Sequence, residues 1–198
     1  MTAPRRVVLA TGNAGKQREF QALLAPRDFE VVLQTTLGIE AAEETGSTFE
    51  ANALIKARHA ARASGLPALA DDSGLEVDAL GGRPGVWSAR YAGADATDAA
   101  NNALLLQELH EIPVGKRSAR YRCVIAWVSH ADDPLPLIAV GSWEGGIARN
   151  PAGEGGFGYD PLFIPEGLAI TSAQMSAADK NAVSHRALAL ANLLRLLA

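Results

Sequence analysis

The sequence predicts an α/β fold, and three observations support that prediction. Short apolar runs at residues 7–10 and 29–34 have the length and the β-branched content of strands. Segments at 16–24 and 49–64 carry apolar residues three and four positions apart, which is typical of amphipathic helices. Turns that contain glycine separate the two kinds of segment, and such alternation indicates an α/β protein.

The first elements follow directly from this pattern. The run at 7–10 ends at a loop over residues 11–15, because two glycines in five residues interrupt a strand. A helix is expected over 16–24, where the apolar residues share one face. The second strand, over 29–34, completes a strand, loop, helix and strand unit.

The next helix is marked by the signals at its start. An acidic loop over residues 41–46 precedes the helical segment 49–64. Ser47 or Thr48 can cap its first turn. The apolar stretch that follows runs into an aspartate pair at 71–72, where we expect the third strand to end.

The second half of the chain contains two predicted strands that we expect to pair with each other. Residues 80–85 must be irregular because they contain glycines and a proline. A helix over 97–109 comes next. Strands are predicted over 121–128 and 137–143, paired antiparallel across a loop with strong turn chemistry.

The C-terminal part contains a glycine-rich loop and a helix. The loop covers residues 153–161 and is followed by a short strand over 162–164. Ser176 and Asp179 have the spacing of a capping box, which predicts one amphipathic helix running through Leu197.

Composition sets limits on the class of protein. A chain of 198 residues with 48% hydrophobic and 20% charged residues predicts one globular domain over residues 1–198. The formal charge of −4 argues against binding to a nucleic acid polymer, which requires clustered Lys and Arg. Cys123 lies in an apolar run, and we predict that it is buried. The sequence contains no run of about 18 apolar residues, which a membrane span would need, so a cytoplasmic protein is expected.

The loop after the first strand has the composition of a phosphate site. Its glycines would let backbone N–H groups approach a phosphate at a helix N-terminus, and its lysine would add a mobile charge. The loop is not a Walker A motif, since its glycines stand too close together and Gln17 replaces the metal-binding hydroxyl. The residues concerned are Thr11, Gly12, Asn13, Ala14, Gly15 and Lys16.

Two acidic pairs suit a divalent metal. Asp71 and Asp72 follow a predicted strand, and Glu43 and Glu44 lie in the loop before a capped helix. Each pair alone is also compatible with a solvated turn. Together they can hold Mg²⁺ through one or two oxygens, with waters and substrate phosphates as the other ligands.

The glycine-rich loop and the last helix suggest a nucleotide. Glycines beside Phe157 and Tyr159 allow close approach to a flat base, and Asp160 can accept hydrogen bonds. His185 and Arg186 offer hydrogen-bond donors for phosphate or carbonyl oxygens. A glycine-rich hairpin and a solvated helix start are the alternative interpretations of these segments.

Six blocks of sequence carry a family resemblance. They stand in order along nearly the whole chain, at residues 8–16, at 43–46 with Phe49, Asn52 and Lys56, and at 70–75, 81–85, 156–161 and 184–186. Together they closely resemble the noncanonical purine nucleoside triphosphate pyrophosphatases, the inosine/xanthosine triphosphate pyrophosphatase family.

The resemblance implies a fold, an activity and residue roles. The fold is a mixed-sheet α/β protein with two lobes around a central nucleotide-binding cleft, assembled as a homodimer. The activity is Mg²⁺-dependent hydrolysis of ITP, dITP or XTP to the monophosphate and pyrophosphate. Asp72 is similar to the family's proton acceptor and to one of its metal ligands. Glu43 is similar to the second metal ligand, and the adjacent Glu44 is the alternative residue for that position.

The resemblance also implies the substrate contacts. They comprise a triphosphate cradle at Thr11, Gly12, Asn13, Ala14, Gly15 and Lys16 with a further contact at Lys56, a contact at Ser73, and a base and sugar pocket at Phe157, Gly158, Tyr159, Asp160, Lys180, His185 and Arg186. Two alternative functions remain. A septum-inhibitor type of pyrophosphatase would need a different base pocket, and a nucleotide sensor without turnover would not need the acids.

Overall fold

The computed structural model describes residues 5–24 and 29–198, and it has the elements of an α/β protein. Within these residues, six strands form one sheet: β1 (Arg5–Leu9), β2 (Phe29–Leu33), β3 (Ala68–Val77), β4 (Ser118–Val128), β5 (Leu137–Ile147) and β6 (Phe163–Pro165). The α-helices in the same residues are α1 (Ala14–Leu24), α2 (Phe49–Ser64), α3 (Asp98–Glu108), α4 (Ala177–Val183) and α5 (His185–Leu196).

The sheet is mixed, as predicted. Its strand order is β2-β1-β3-β4-β5-β6. β1 pairs in parallel with both β2 and β3, whereas β5 and β6 are antiparallel. β4 and β5 are neighbours, as expected from the sequence.

The chain divides into two compact units, each with its own apolar cluster. The first unit comprises Met1–Asp72, Cys123–Gly141 and Arg186–Ala198, and the second comprises Ser73–Arg122 and Ser142–His185. The first cluster is built from β1, α1, β3, β4, β5 and α5 and includes Phe20, Leu69, Ile125 and Leu190. The second is built from β3, α3, β4, β5 and β6 and includes Leu105, Tyr121, Trp143 and Phe163.

Strand β3 does not end at the aspartate pair, and this part of the prediction is wrong. The strand continues through Asp71 and Asp72 to Val77. It lies between β1 and β4 in the sheet. β1 pairs with β3 only as far as Leu69, so beyond that point the neighbouring strand is β4, and pairing in the sheet overrides the low strand preference of Asp, Ser and Gly.

The terminal helical segment is also divided, where the sequence predicted one helix. α4 ends at Val183. The N–H of Ser184 still donates to the carbonyl of Lys180 at 2.9 Å, but the backbone of Ser184 is extended. α5 then begins at His185. Serine favours the position just before a helix, which accounts for the new start.

A simpler expectation agrees with the structure. Cys123 is fully buried, as predicted. Among residues 5–24 and 29–198, no α-helix has the length and apolar character needed to cross a membrane.

The cap of α2 gives a testable stability prediction. Of the two candidates, Thr48 is the cap, and its side chain accepts a hydrogen bond from the N–H of Ala51. We expect Thr48→Ala to lower the free energy of unfolding by about 1 kcal/mol, because a first-turn N–H loses its acceptor. Urea denaturation measures this, with Ser47→Ala as the matched control. An equal loss in the control variant would contradict the assignment.

Candidate active site

The two aspartates lie just beyond the end of a neighbouring strand. β1 ends at Leu9, and Ala10 still donates its N–H to the carbonyl of Leu69 at 2.9 Å. Asp71 and Asp72 follow Leu69 on β3, so they stand where β1 has given way to a loop. Although the acids lie within a strand, they occupy the carboxyl end of a parallel pair, where α/β proteins hold ligands.

The loop that follows β1 is held by its own side chains. The Thr11 hydroxyl accepts from the N–H of Asn13 at 3.2 Å, and the Asn13 amide oxygen accepts from the N–H of Lys16 at 3.0 Å. Gln17 donates to the Thr11 carbonyl at 2.9 Å. Helix α1 begins at Ala14, inside the predicted loop, so the N–H groups of its first turn lie in the segment proposed to bind phosphate.

Lys16 and the aspartates come together, as the sequence predicted. The Lys16 ammonium lies 2.9 Å from Asp71 Oδ2. The Arg186 guanidinium also contacts Asp71 Oδ2, at 3.4 Å, and it pairs with Glu19 through its other nitrogen. The four side chains form a buried series of alternating charge that ties α1, β3 and α5 together.

Helix α2 positions a second set of groups around Asp72. Asn52 and Lys56 are four residues apart and therefore share one face of the helix. The Lys56 ammonium lies 3.0 Å from Asp72 Oδ1 and 2.8 Å from Glu44 Oε1. Asn52 is fully buried and donates to Asp72 Oδ2 at 3.2 Å, while its amide oxygen accepts from the N–H of Gly46 at 2.8 Å.

Asn52 therefore links the acidic loop to strand β3. A Cβ at Gly46 would lie 2.6 Å from Asn52 Oδ1, so only glycine permits the loop backbone to come this close.

The environment shifts the pKa values of the two aspartates in opposite directions. Burial would raise the pKa of the Asp71 carboxyl, but the positive charges of Lys16, Arg186 and Lys56 outweigh it and hold that pKa well below its usual range. Burial raises the pKa of the Asp72 carboxyl, and Lys56 and Lys16 offset this only in part. Such a divergence separates a permanently charged group from a proton acceptor.

The surrounding carboxylates keep Lys56 positively charged. Its burial acts to lower its pKa, but the carboxylates of Asp72, Asp71 and Glu44 outweigh this effect and raise the pKa above its usual value. Lys56 therefore stays protonated and carries its positive charge between two acids.

The donor atoms near Asp72 suit a magnesium ion. Asp72 and Glu44 present carboxylate oxygens on either side of one ammonium group, and hard oxygen donors are the ligands of Mg²⁺. Glu43 is exposed, and Glu44 is the acid that contacts Lys56. Within the described residues no group of three or more His, Cys, Asp or Glu is arranged to hold a metal ion.

A second cluster lies in the other unit and is built around Asp160. Its carboxylate accepts from the N–H of Phe157 at 2.9 Å and from the Ser172 hydroxyl at 2.8 Å. The Lys180 ammonium pairs with it at 2.6 Å. Gly156 has a φ of +74°, and a Cβ there would collide with the Asp160 carboxylate. Asp160 thus holds the glycine-rich loop in shape.

The remaining predicted residues of this unit have separate contacts. The Lys180 ammonium lies 5.0 Å from the centroid of the Phe157 ring. Tyr159 is buried and donates its hydroxyl to the Ser88 carbonyl at 2.8 Å. The His185 ring stacks on Tyr121, with centroids 4.7 Å apart and planes at 10°.

The structure thus groups the predicted residues in two sets. The first unit contains the cradle residues 11–16 with Lys56, Asp72 and Arg186, and the second contains Phe157, Gly158, Tyr159, Asp160, Lys180 and His185. Ser73 follows Asp72 along β3 as the first residue of the second unit. Arg186, expected beside the base, contacts Asp71 and Glu19.

Two residues that contact the charged groups had no predicted role, Asn52 beside Asp72 and Glu19 beside Arg186. Asn52 is a polar residue on the buried face of a helix, and that position is a usable signal. Glu19 carried no comparable signal, because an acid on an amphipathic helix is normally solvated.

Comparison with known proteins identifies a family and close relatives. A model of the Ham1 family matches residues 7–196. A protein of Shigella flexneri named dITP/XTP pyrophosphatase is 55% identical over 190 residues, 96% of this chain and 96% of that protein. A protein of the same name from Escherichia coli K12 is 53% identical over 190 residues, again 96% of each.

Solved structures are similar over the same extent. A HAM1 protein from Coxiella burnetii superposes with a TM-score of 0.90 at 49% identity, covering 98% of both chains. A nucleoside-triphosphatase or dITP/XTP pyrophosphatase from Mycobacterium abscessus has a TM-score of 0.72 at 43% identity, covering 97% of this chain and 96% of that one.

Proposed function

The chain belongs to the Ham1 family, and on that premise we propose that it is a nucleoside triphosphate pyrophosphatase. Its substrates are noncanonical purine nucleotides, dITP, XTP and ITP, and its products are the nucleoside monophosphate and pyrophosphate. The relatives at 53% to 55% identity are named for dITP and XTP, and they support this substrate class. The reaction removes such nucleotides from the pool used for nucleic acid synthesis.

One observation carries the proposal. Two lysines contact two adjacent aspartates within the first unit, Lys16 with Asp71 at 2.9 Å and Lys56 with Asp72 at 3.0 Å. Buried ammonium groups can stabilise the negative charge of phosphates, and a carboxylate with a raised pKa can accept a proton. A nucleotide sensor would need the lysines, but it would not need Asp72 in this environment.

The reaction is an in-line displacement at the α-phosphorus. The oxygen of a water molecule forms a bond to phosphorus as the bond to the β-bridging oxygen breaks. Asp72 accepts the proton that the water loses, and Lys16 and Lys56 stabilise the charge on the departing pyrophosphate. The N–H groups at the start of α1, in the cradle at residues 11–16, hold the triphosphate.

Mg²⁺ fits this arrangement with Asp72 and Glu44 as its protein ligands. When bound, it supplies positive charge to the phosphates and orients the attacking water. We assign the second acid to Glu44 instead of Glu43, because Glu44 shares Lys56 with Asp72.

The base end is assigned to the second unit. Phe157 is the stacking surface, and Lys180 and His185 contribute polar contacts beside it. Asp160 and Tyr159 act by fixing the loop, since their polar groups are bonded within it or to Ser88. Arg186 acts through Asp71, which it contacts, and this replaces its expected role as a donor to the base.

Three further proposals rest on the family resemblance. Both units belong to one catalytic domain, the protein acts as a homodimer, and it works in the cytoplasm on free nucleotides. The acidic net charge of −4 supports small anionic substrates over a nucleic acid polymer as the partner.

The test is a direct assay of products. Pyrophosphate release is measured from dITP, XTP, ITP, ATP and GTP at equal concentrations, with Mg²⁺ and with EDTA. We expect kcat/KM for dITP, XTP and ITP to exceed that for ATP by about 10³-fold or more, because a pocket that donates to a 6-oxo group leaves its donor unpaired against adenine. EDTA should abolish release.

The other outcomes separate the alternatives. Binding of dITP without any release would indicate a sensor. Equal rates on ATP and dITP would indicate a pyrophosphatase with a different base pocket.

A further inference from the structure

We propose that Asp98 and Asn102, on helix α3, are positioning residues that set the affinity for the nucleotide base. They act by holding the backbone N–H and the carbonyl of Gly158, and we call this pair of residues the clamp. This inference rests on the proposed function, in which Phe157 stacks on the base. It adds two residues outside the six sequence blocks that carry the family resemblance.

The clamp holds both hydrogen-bonding groups of one residue. The Asp98 carboxylate accepts from the N–H of Gly158 at 2.6 Å, and the Asn102 amide donates to the carbonyl of Gly158 at 2.9 Å. Asp98 and Asn102 are four residues apart, so they project from the same face of α3. A donor and an acceptor on one rigid helix therefore fix the orientation of this loop residue.

Gly158 needs such external support. Its φ of +63° lies in the left-handed region, yet a Cβ built on it would meet no atom within 4 Å. Glycine is therefore selected here for its backbone conformation and not for lack of space. A glycine in open surroundings has many accessible conformations, and two bonds from a helix restrict them.

The start of α3 is itself anchored. Thr97 caps the helix by accepting from the N–H of Ala100. Asn101 accepts from the N–H of Ala92 at 2.8 Å and donates to the carbonyl of Ala89 at 3.2 Å. The helix end that carries Asp98 is thus fixed to the preceding segment, and it provides a firm base for the clamp.

The clamp acts on the ring next to it. Phe157 is bonded on one side, where its N–H meets Asp160, and its ring lies 5.0 Å from the Lys180 ammonium. Gly158 follows directly and controls the other side. Loss of the clamp would let the ring leave its stacking position, while the acids and lysines of the first unit would be unchanged.

The experiment separates affinity from chemistry. Asp98→Ala and Asn102→Ala are compared with the wild type in pyrophosphate release from dITP with Mg²⁺. We expect KM to rise about tenfold for Asp98→Ala, consistent with loss of a hydrogen bond to a charged group, and several-fold for Asn102→Ala. The value of kcat should stay within about twofold, because the reacting groups are not touched.

Two variants serve as controls. Asp98→Asn keeps an oxygen acceptor for the Gly158 N–H and should restore most of the affinity. Asp95→Ala removes an exposed acid three residues earlier and should leave KM unchanged. Equilibrium dialysis of dITP with Asp72→Asn and Asp72→Asn/Asp98→Ala should show the same tenfold difference without any turnover.

The outcomes are distinct. An unchanged KM for Asp98→Ala, or a fall in kcat at constant KM, would overturn the positioning role. Absence of pyrophosphate release from the wild type would overturn the proposed function instead. A thermal scan of each variant records folding, and a KM effect that Asp98→Asn fails to reverse would count against the clamp.

Discussion

Replacing Asp72 by asparagine is expected to lower kcat for pyrophosphate release from dITP by about 10³-fold. The substitution keeps the size of the side chain and its capacity to bond Asn52, but it removes the proton acceptor and a carboxylate ligand for Mg²⁺. The raised pKa of the Asp72 carboxyl makes it the better proton acceptor of the adjacent pair. Single-turnover kinetics at saturating dITP and Mg²⁺ measure the effect on the chemical step.

Nucleotide binding should survive in this variant. Lys16 and the start of α1 are retained, so the dissociation constant for dITP should change by only a few-fold. Asp78→Asn provides a control, since Asp78 is an exposed aspartate on the other unit. Turnover of Asp72→Asn at the wild-type rate would remove Asp72 from its role as the base.

Replacing Asp71 by asparagine is expected to act on stability. Asp71 is fully buried and receives both Lys16 and Arg186. Without its charge, the partly buried Lys16 loses this ion pair and the buried Arg186 keeps only its pair with Glu19. Breaking a buried pair costs about 3–5 kcal/mol. Urea denaturation at pH 7 measures the loss. Asp78→Asn, which breaks an exposed pair with Arg120, should cost about 1 kcal/mol or less.

The contribution of charged Asp71 to stability should depend on pH, and the direction of its pKa shift gives the direction of that dependence. The pKa of the Asp71 carboxyl is lower in the folded protein than its ordinary value of about 3.9. The folded state therefore binds fewer protons than the unfolded state, and the stability that charged Asp71 contributes is complete above that value. It is lost as the pH falls below about 4 towards the folded pKa.

The difference in unfolding free energy between the wild type and Asp71→Asn should accordingly narrow over that acid range. A gap that stays constant from pH 7 to pH 3, or no gap at pH 7, would contradict the assigned role of the charge.

The parts of the fold that depend on periodicity were predicted well. Helix α2 begins and ends where the spacing of its apolar residues places it, and Thr48 caps it. The proximity of Lys16 to Asp71 also follows from the sequence. A loop after one strand and acids after the next come together when the two strands are parallel neighbours, and β1 and β3 are such a pair.

The parts that depend on tertiary pairing were not predicted. The continuation of β3 through Asp71 and Asp72 depends on its neighbour β4 in the sheet, because β1 pairs with β3 only as far as Leu69, and nothing local signals it. The break at Ser184 was missed because the residues around it all tolerate a helix.

Side-chain chemistry indicates which residues can form hydrogen bonds, but not which partners they have. Asp160 has the oxygens to accept from a ribose, yet its carboxylate contacts Phe157, Ser172 and Lys180. Arg186 has the donors to recognise a base, yet its guanidinium contacts two carboxylates. A residue type fixes the capacity to form hydrogen bonds, and the partners depend on positions distant in the chain.

The pair between Glu19 and Arg186 joins positions 167 residues apart, and this separation bears on how the protein is made. A ribosome has synthesised Lys16 and Asp71 long before it reaches Arg186 on α5. The central charges of the first unit are therefore balanced only after the start of α5 has been made. A product terminated before α5 carries its aspartate without the full complement of cations, so we expect such fragments to be recognised as unfolded and degraded.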